Sequence, residues 1–71
     1  MLTTSEKIRL IARRKGYSQV YIANQLGTTK QAFNRKLRQD NFTRAQLEQV
    51  ASVLGCTVEV VFTDKQTGDT I

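Results

Sequence analysis

Gln31, Asn34, Arg35 and Arg38 are the side chains whose types and spacing point to a chemistry. On a helix of about 3.6 residues per turn, all four lie about 100° or more from Phe33. A helix that buries Phe33 and Leu37 would therefore present a polar face, half of it arginine. Carboxamides offer a donor and an acceptor side by side, and guanidinium offers a fixed fork of donors with a permanent charge. That chemistry recognises base edges and phosphates and breaks no bonds. The rest of the composition agrees. The chain has 71 residues, no histidine, one cysteine (Cys56) and six dispersed carboxylates. No Ser-His or Cys-His couple and no Cys/His zinc set can be assembled. An enzyme is not expected, nor a metal or other cofactor.

The charge distribution identifies a class of partner. The net charge is +5, but residues 1–44 hold ten bases and two acids, whereas residues 45–71 hold one base and four acids. A basic body joined to a mildly acidic tail suits a polyanion partner, with the tail kept away from it. Residues 1–15 mix Lys7, Arg9, Arg13, Arg14 and Lys15 with their apolar positions, unlike a secretory leader. No apolar stretch reaches the length of a membrane span, and a lone cysteine forms no intrachain disulfide. A cytoplasmic setting is expected.

The elements that must position the polar face are marked by their ends. A first helix is expected from about Thr4 to Lys15, with a Thr3-x-x-Glu6 capping box, an Ile8–Ile11–Ala12–Lys15 stripe and Gly16 as its stop. A second runs from about Gln19 to Leu26, capped by Ser18 and ended by Gly27. A third begins at about Lys30 behind Thr29 and reaches about Arg38. A fourth follows Thr43, whose capping box closes with Gln46; Phe42 is placed to staple onto Leu47, and Gly55 ends the helix. Beyond Gly55 the period changes to two. Val58, Val60 and Phe62 alternate with Glu59 and Val61, which predicts a strand over 57–63. A turn at Lys65–Gly68 and a short return at 69–71 would complete a hairpin. The chain thus reads as one mainly α domain over 1–71. Its helical body spans 4–55, a helix-turn-helix spans 19–38, and a β-strand or hairpin tail spans 56–71.

Two helices as short as 19–26 and 30–38, joined by so tight a turn, must cross steeply. Ala23 is small where the next helix approaches, and Ile22, Leu26 and Phe33 fill the wedge between the two. The run Ser18-Gln19-Val20-Tyr21-Ile22-Ala23-Asn24-Gln25-Leu26-Gly27-Thr28-Thr29-Lys30-Gln31-Ala32-Phe33 resembles the helix-turn-helix of phage repressors and Cro-type regulators, the XRE family, with a lambda-repressor-like fold. The resemblance covers roughly residues 4–55. It implies a sequence-specific double-stranded DNA-binding regulator, a repressor, whose third helix enters the major groove. It assigns Gln19 to a phosphate, Lys30, Gln31 and Arg35 to bases, and Thr29, Asn34, Asn41 and Thr43 to the backbone. Arg38 joins them on charge and position. Two departures stand out. Ala12 and Leu37 occupy positions where some phage repressors keep a buried Arg–Glu pair, and Lys36 occupies a normally apolar position. The tail also departs from those repressors that continue with a further helix.

A homodimer is expected as well, because one helix-turn-helix reads only about four or five base pairs and paired half-sites lie about 34 Å apart. Val58, Val60 and Phe62 are the candidate dimer contacts, through the C-terminal strand. The competing reading is an antitoxin-like or adaptor module that uses the same fold to hold a protein. RNA is a weaker reading, since sequence-specific RNA modules present aromatics on a sheet. Arg13, Arg14 and Lys15 read as a solvated face, with contact to the DNA backbone as the lesser alternative, Tyr17 and Tyr21 as packing residues with wet hydroxyls, and Cys56 as a small core residue.

Overall fold

The structure, a computed structural model, describes residues 2–71. It is mainly α, with four helices: α1 (Thr4–Lys15), α2 (Gln19–Leu26), α3 (Lys30–Gln39) and α4 (Arg44–Leu54). Each starts at a hydroxyl. Thr3, Ser18, Thr29 and Thr43 accept from the backbone N–H three residues on, at 3.0–3.1 Å. Both expected capping boxes are present, with Glu6 and Gln46 reaching back to the N-cap amides. A cap of this kind contributes about 1 kcal/mol, which matters to helices too short to stand alone.

The helices meet over a single apolar cluster. Ile8 and Ala12 come from α1, Ile22 and Ala23 from α2, Phe33 and Leu37 from α3, and Val50 and Leu54 from α4; all are buried. Helix α2 packs on both α3 and α4, and α1 packs on α4. Ile11, Tyr17, Leu26, Phe42, Leu47, Val53 and Cys56 close the edge of the cluster. Ala12 and Leu37 are therefore packed apolar positions, as expected, and no buried ion pair is needed there.

Two polar ties hold the frame. Helix α3 runs one residue past the expected end and stops at Asp40, a non-glycine residue at φ +51°. The Asp40 Oδ1 accepts from the Ser5 amide and lies 2.9 Å from the Ser5 hydroxyl, which is also 2.6 Å from the Leu37 carbonyl. Ser5 is buried. A carboxylate thus sits at the N-terminus of α1, where orphan amides and the helix dipole favour negative charge. At the far end, Lys15 Nζ donates to the Leu54 carbonyl, the last of α4. Its stem does not simply finish the α1 stripe; it caps a neighbour.

The tail is less regular than the alternation suggested. The strand expected over 57–63 is not formed. Residues 57–61 make no main-chain hydrogen bonds among the described residues. Pairing is confined to a single antiparallel bridge, Thr63 with Thr70, flanked by the reciprocal Phe62–Ile71 bonds (2.9 Å each) and by Asp64 N to Asp69 O (2.8 Å). The turn has Gly68 at φ +79°, as expected. The physical reason is a missing partner. Ile71 stands opposite Phe62, and nothing among the described residues stands opposite 57–61. Cys56 and Val58 lie half-buried beside α4, but beyond Val58 the tail is exposed. Phe62 is 74% exposed and Ile71 94%, with Val60 and Val61 about half exposed or more.

Candidate nucleic-acid interface

Helix α3 is held by its apolar edge. Phe33 and Leu37 anchor it in the core, and its helical turn then places Lys30, Gln31, Arg35 and Arg38 outward. Lys30, Gln31, Asn34, Arg35 and Arg38 line one shallow depression of about 350 Å³ on that outer face. Five of the expected site residues are thus brought together on about two and a half turns. Gln31, Arg35 and Arg38 are exposed, and Asn34 is half-buried.

The reason for the burial of Asn34 is a hydrogen bond. Its Nδ2 donates to Gln19 Oε1 at 2.9 Å. The first residue of α2 is thereby tied to the middle of α3, and the Gln19 amide nitrogen keeps its own donors for an outside acceptor. Thr29 sits beside the cluster, with its Oγ1 accepting from the Ala32 amide. That bond uses an oxygen lone pair and leaves the hydroxyl hydrogen available.

Asn41 and Thr43 do not line the depression. They lie in the α3–α4 connection, exposed, at the C-terminal end of α3. Lys36 donates to the Asn41 carbonyl at 3.2 Å, so the half-buried lysine reaches the surface along its stem and fixes this loop. Thr43 caps α4.

The electrostatics are one-sided. The single ion pair among the described residues joins Arg44 to Glu48 on α4, 3.2 Å apart and exposed. Lys30, Arg35 and Arg38 have no acidic partner among the described residues. Cations left unpaired on a common surface keep their charge available to an incoming anion.

Two other features were not foreseen from the sequence. A second cleft, of about 310 Å³, lies between α1 and α3, with Arg9, Arg13 and Gln19 among its lining residues. The sequence marks Arg13 as a solvated residue first and a DNA-backbone contact second, and the nearness of Gln19 depends on how α1 meets α2. The second feature is a groove of about 460 Å³ between α2, α3 and α4, where Leu26, Phe33, Phe42 and Val50 meet Arg35 and Lys36. Among the expected packing residues, the rings of Tyr17 and Tyr21 lie 5.0 Å apart and tilted by 38°, with Tyr21 exposed, and Cys56 is half-buried against the core. Of the expected dimer contacts, Val58 is half-buried and lies near Ser52 and Cys56, whereas Val60 and Phe62 are exposed. No helix is long and apolar enough to cross a membrane, and no group of metal-ligating side chains occurs among the described residues.

Comparison of the chain with protein-family models, with curated protein sequences and with solved structures found no match.

Proposed function

We propose that this chain is a sequence-specific double-stranded DNA-binding regulator, a repressor that occupies its site by laying α3 in the major groove. The observation that carries the reading is the convergence of Lys30, Gln31, Asn34, Arg35 and Arg38 on one exposed, acid-free face of a short anchored helix. The major groove is about 12 Å wide and admits one helix. Gln31 suits an adenine edge, and Arg35 or Lys30 suits guanine. Gln19, Thr29, Asn41 and Thr43 serve the sugar-phosphate backbone, and Asn34 braces Gln19. The test is selection of bound duplexes from a random pool, followed by titration at several salt concentrations. A common sequence should emerge, and log affinity should fall against log salt with a slope near about −5 per subunit, as for five or six phosphates. A flat salt dependence with no enriched sequence sinks the reading.

The exposed tail supports a homodimer. Val60, Val61, Phe62 and Ile71 face solvent beside a main chain that is unpaired over 57–61. An isolated two-stranded hairpin is marginal in water, and an unpaired apolar edge favours association. Two copies joined around a two-fold axis at this edge would form the strand that one copy lacks. The competing reading, an antitoxin-like or adaptor module, finds support in the groove that Leu26, Phe33, Phe42 and Val50 form with Arg35 and Lys36. Recovery of one folded protein partner, together with the flat salt dependence above, favours it.

A further inference from the structure

We propose that the cleft between α1 and α3 is a phosphate clamp in which Arg9 and Arg13 hold a backbone phosphodiester of the same duplex that α3 reads; the proposal rests on that DNA-binding reading. Arg9 and Arg13 are four apart on α1, so their side chains share a face. Both line the cleft, together with Gln19 at the start of α2. Its floor is apolar, formed by Ala12, Phe33 and Leu37. Ala12 is the reason the space exists, because a longer side chain between the two arginines would fill it.

Three observations point to an anion of phosphate type. Neither arginine has an acidic partner, since the single ion pair among the described residues lies on α4. Like charges at this spacing repel each other along the helix, and a bound anion offsets the repulsion. Gln19 adds neutral donors: its Oε1 already accepts from Asn34, which leaves the amide hydrogens for a further acceptor. Two guanidinium forks and an amide above an apolar floor match the several oxygens of a phosphodiester. The Asn34–Gln19 bond also fixes the source. It links the cleft directly to the face that carries Gln31 and Arg35, so a phosphate held there lies on the duplex that α3 reads.

The test compares two double variants, R9A/R13A and K7A/R14A, with the unaltered protein. Lys7 and Arg14 carry the same charge on the same helix but do not line the cleft. Circular dichroism melts establish that both variants fold. Affinity for the selected site and for a scrambled duplex is then measured across salt. R9A/R13A should weaken both duplexes by the same factor, on the order of tenfold or more, and flatten the log–log slope by about 1, since one lost phosphate contributes about 0.9. K7A/R14A should change the slope by less than half as much. As a second measurement, ethylation of individual phosphates should interfere with the unaltered protein at a position to which R9A/R13A is indifferent. An unchanged slope in R9A/R13A, or equal flattening in K7A/R14A, overturns the clamp while sequence-selective binding stands. If the unaltered protein binds no duplex, both the clamp and the function fall.

Discussion

A side chain on the face of α3 contributes to binding only through what it reaches. Gln31→Ala and Arg35→Ala should each weaken the best site by about 1–3 kcal/mol and relax base preference, because each removes a base-edge partner without touching the core. Titration of matched and scrambled duplexes measures both effects. Unchanged selectivity in the double variant would remove α3 from the readout. Asp40 makes a different claim. It adopts a left-handed backbone that favours glycine, yet its carboxylate serves the start of α1. Asp40→Ala loses the carboxylate and keeps the strained backbone, whereas Asp40→Gly loses the carboxylate but relaxes the strain. The alanine variant should be less stable by about 1–3 kcal/mol, and the glycine variant should recover roughly 1 kcal/mol of that. Urea unfolding ranks them, and the opposite order would mean that the backbone conformation carries no cost.

The four helices were legible in the sequence because each carries its own boundary marks. Thr3, Ser18, Thr29 and Thr43 announce the starts, and a local hydrogen bond to the third residue is all that such a mark requires. The polar face of α3 was legible for the same reason, since Phe33 and Leu37 fix its rotation. Features that depend on a distant partner were not. Asp40 ends α3 in place of a glycine because Ser5, 35 residues away, is there to meet its carboxylate. The cleft of Arg9 and Arg13 exists only once α1 lies against the rest. The tail alternates correctly for a strand, but alternation supplies no ladder, and residues 57–61 remain unpaired. Packing on this scale is also where stability resides. Phe33 joins α3 to the core and is 3% exposed. Phe33→Ala should cost about 3–5 kcal/mol, comparable to the whole stability of a domain this small. Loss of most helical circular dichroism at 25 °C is the expected result, and a fully helical variant would show that α3 is held mainly by its polar ties.

The whole molecule is 43 Å long and about half that in its other two dimensions. Its acidic, apolar tail adjoins a basic body. Val60→Lys/Phe62→Lys should turn a dimer at tens of micromolar into a monomer by sedimentation equilibrium, while leaving the helical signal intact. If the unaltered chain already sediments as a monomer and binds a palindromic site without cooperativity, the tail is not the joint. How the tail leaves the body then acquires a consequence. At the junction Gly55 is fixed at φ +70°, the Cys56 amide bonds to the Ala51 carbonyl at 2.8 Å, and Lys15 Nζ holds the Leu54 carbonyl. Gly55 admits no side chain without strain, and Lys15 Nζ lies 3.0 Å from where its Cβ would be. A joint this constrained does not swivel. Two bodies connected through it would keep a fixed angular phase, and DNA turns by about 34–36° with every base pair. Such a pair would lose cooperative binding when five base pairs are inserted between half-sites, because half a turn carries the second half-site to the opposite side of the duplex.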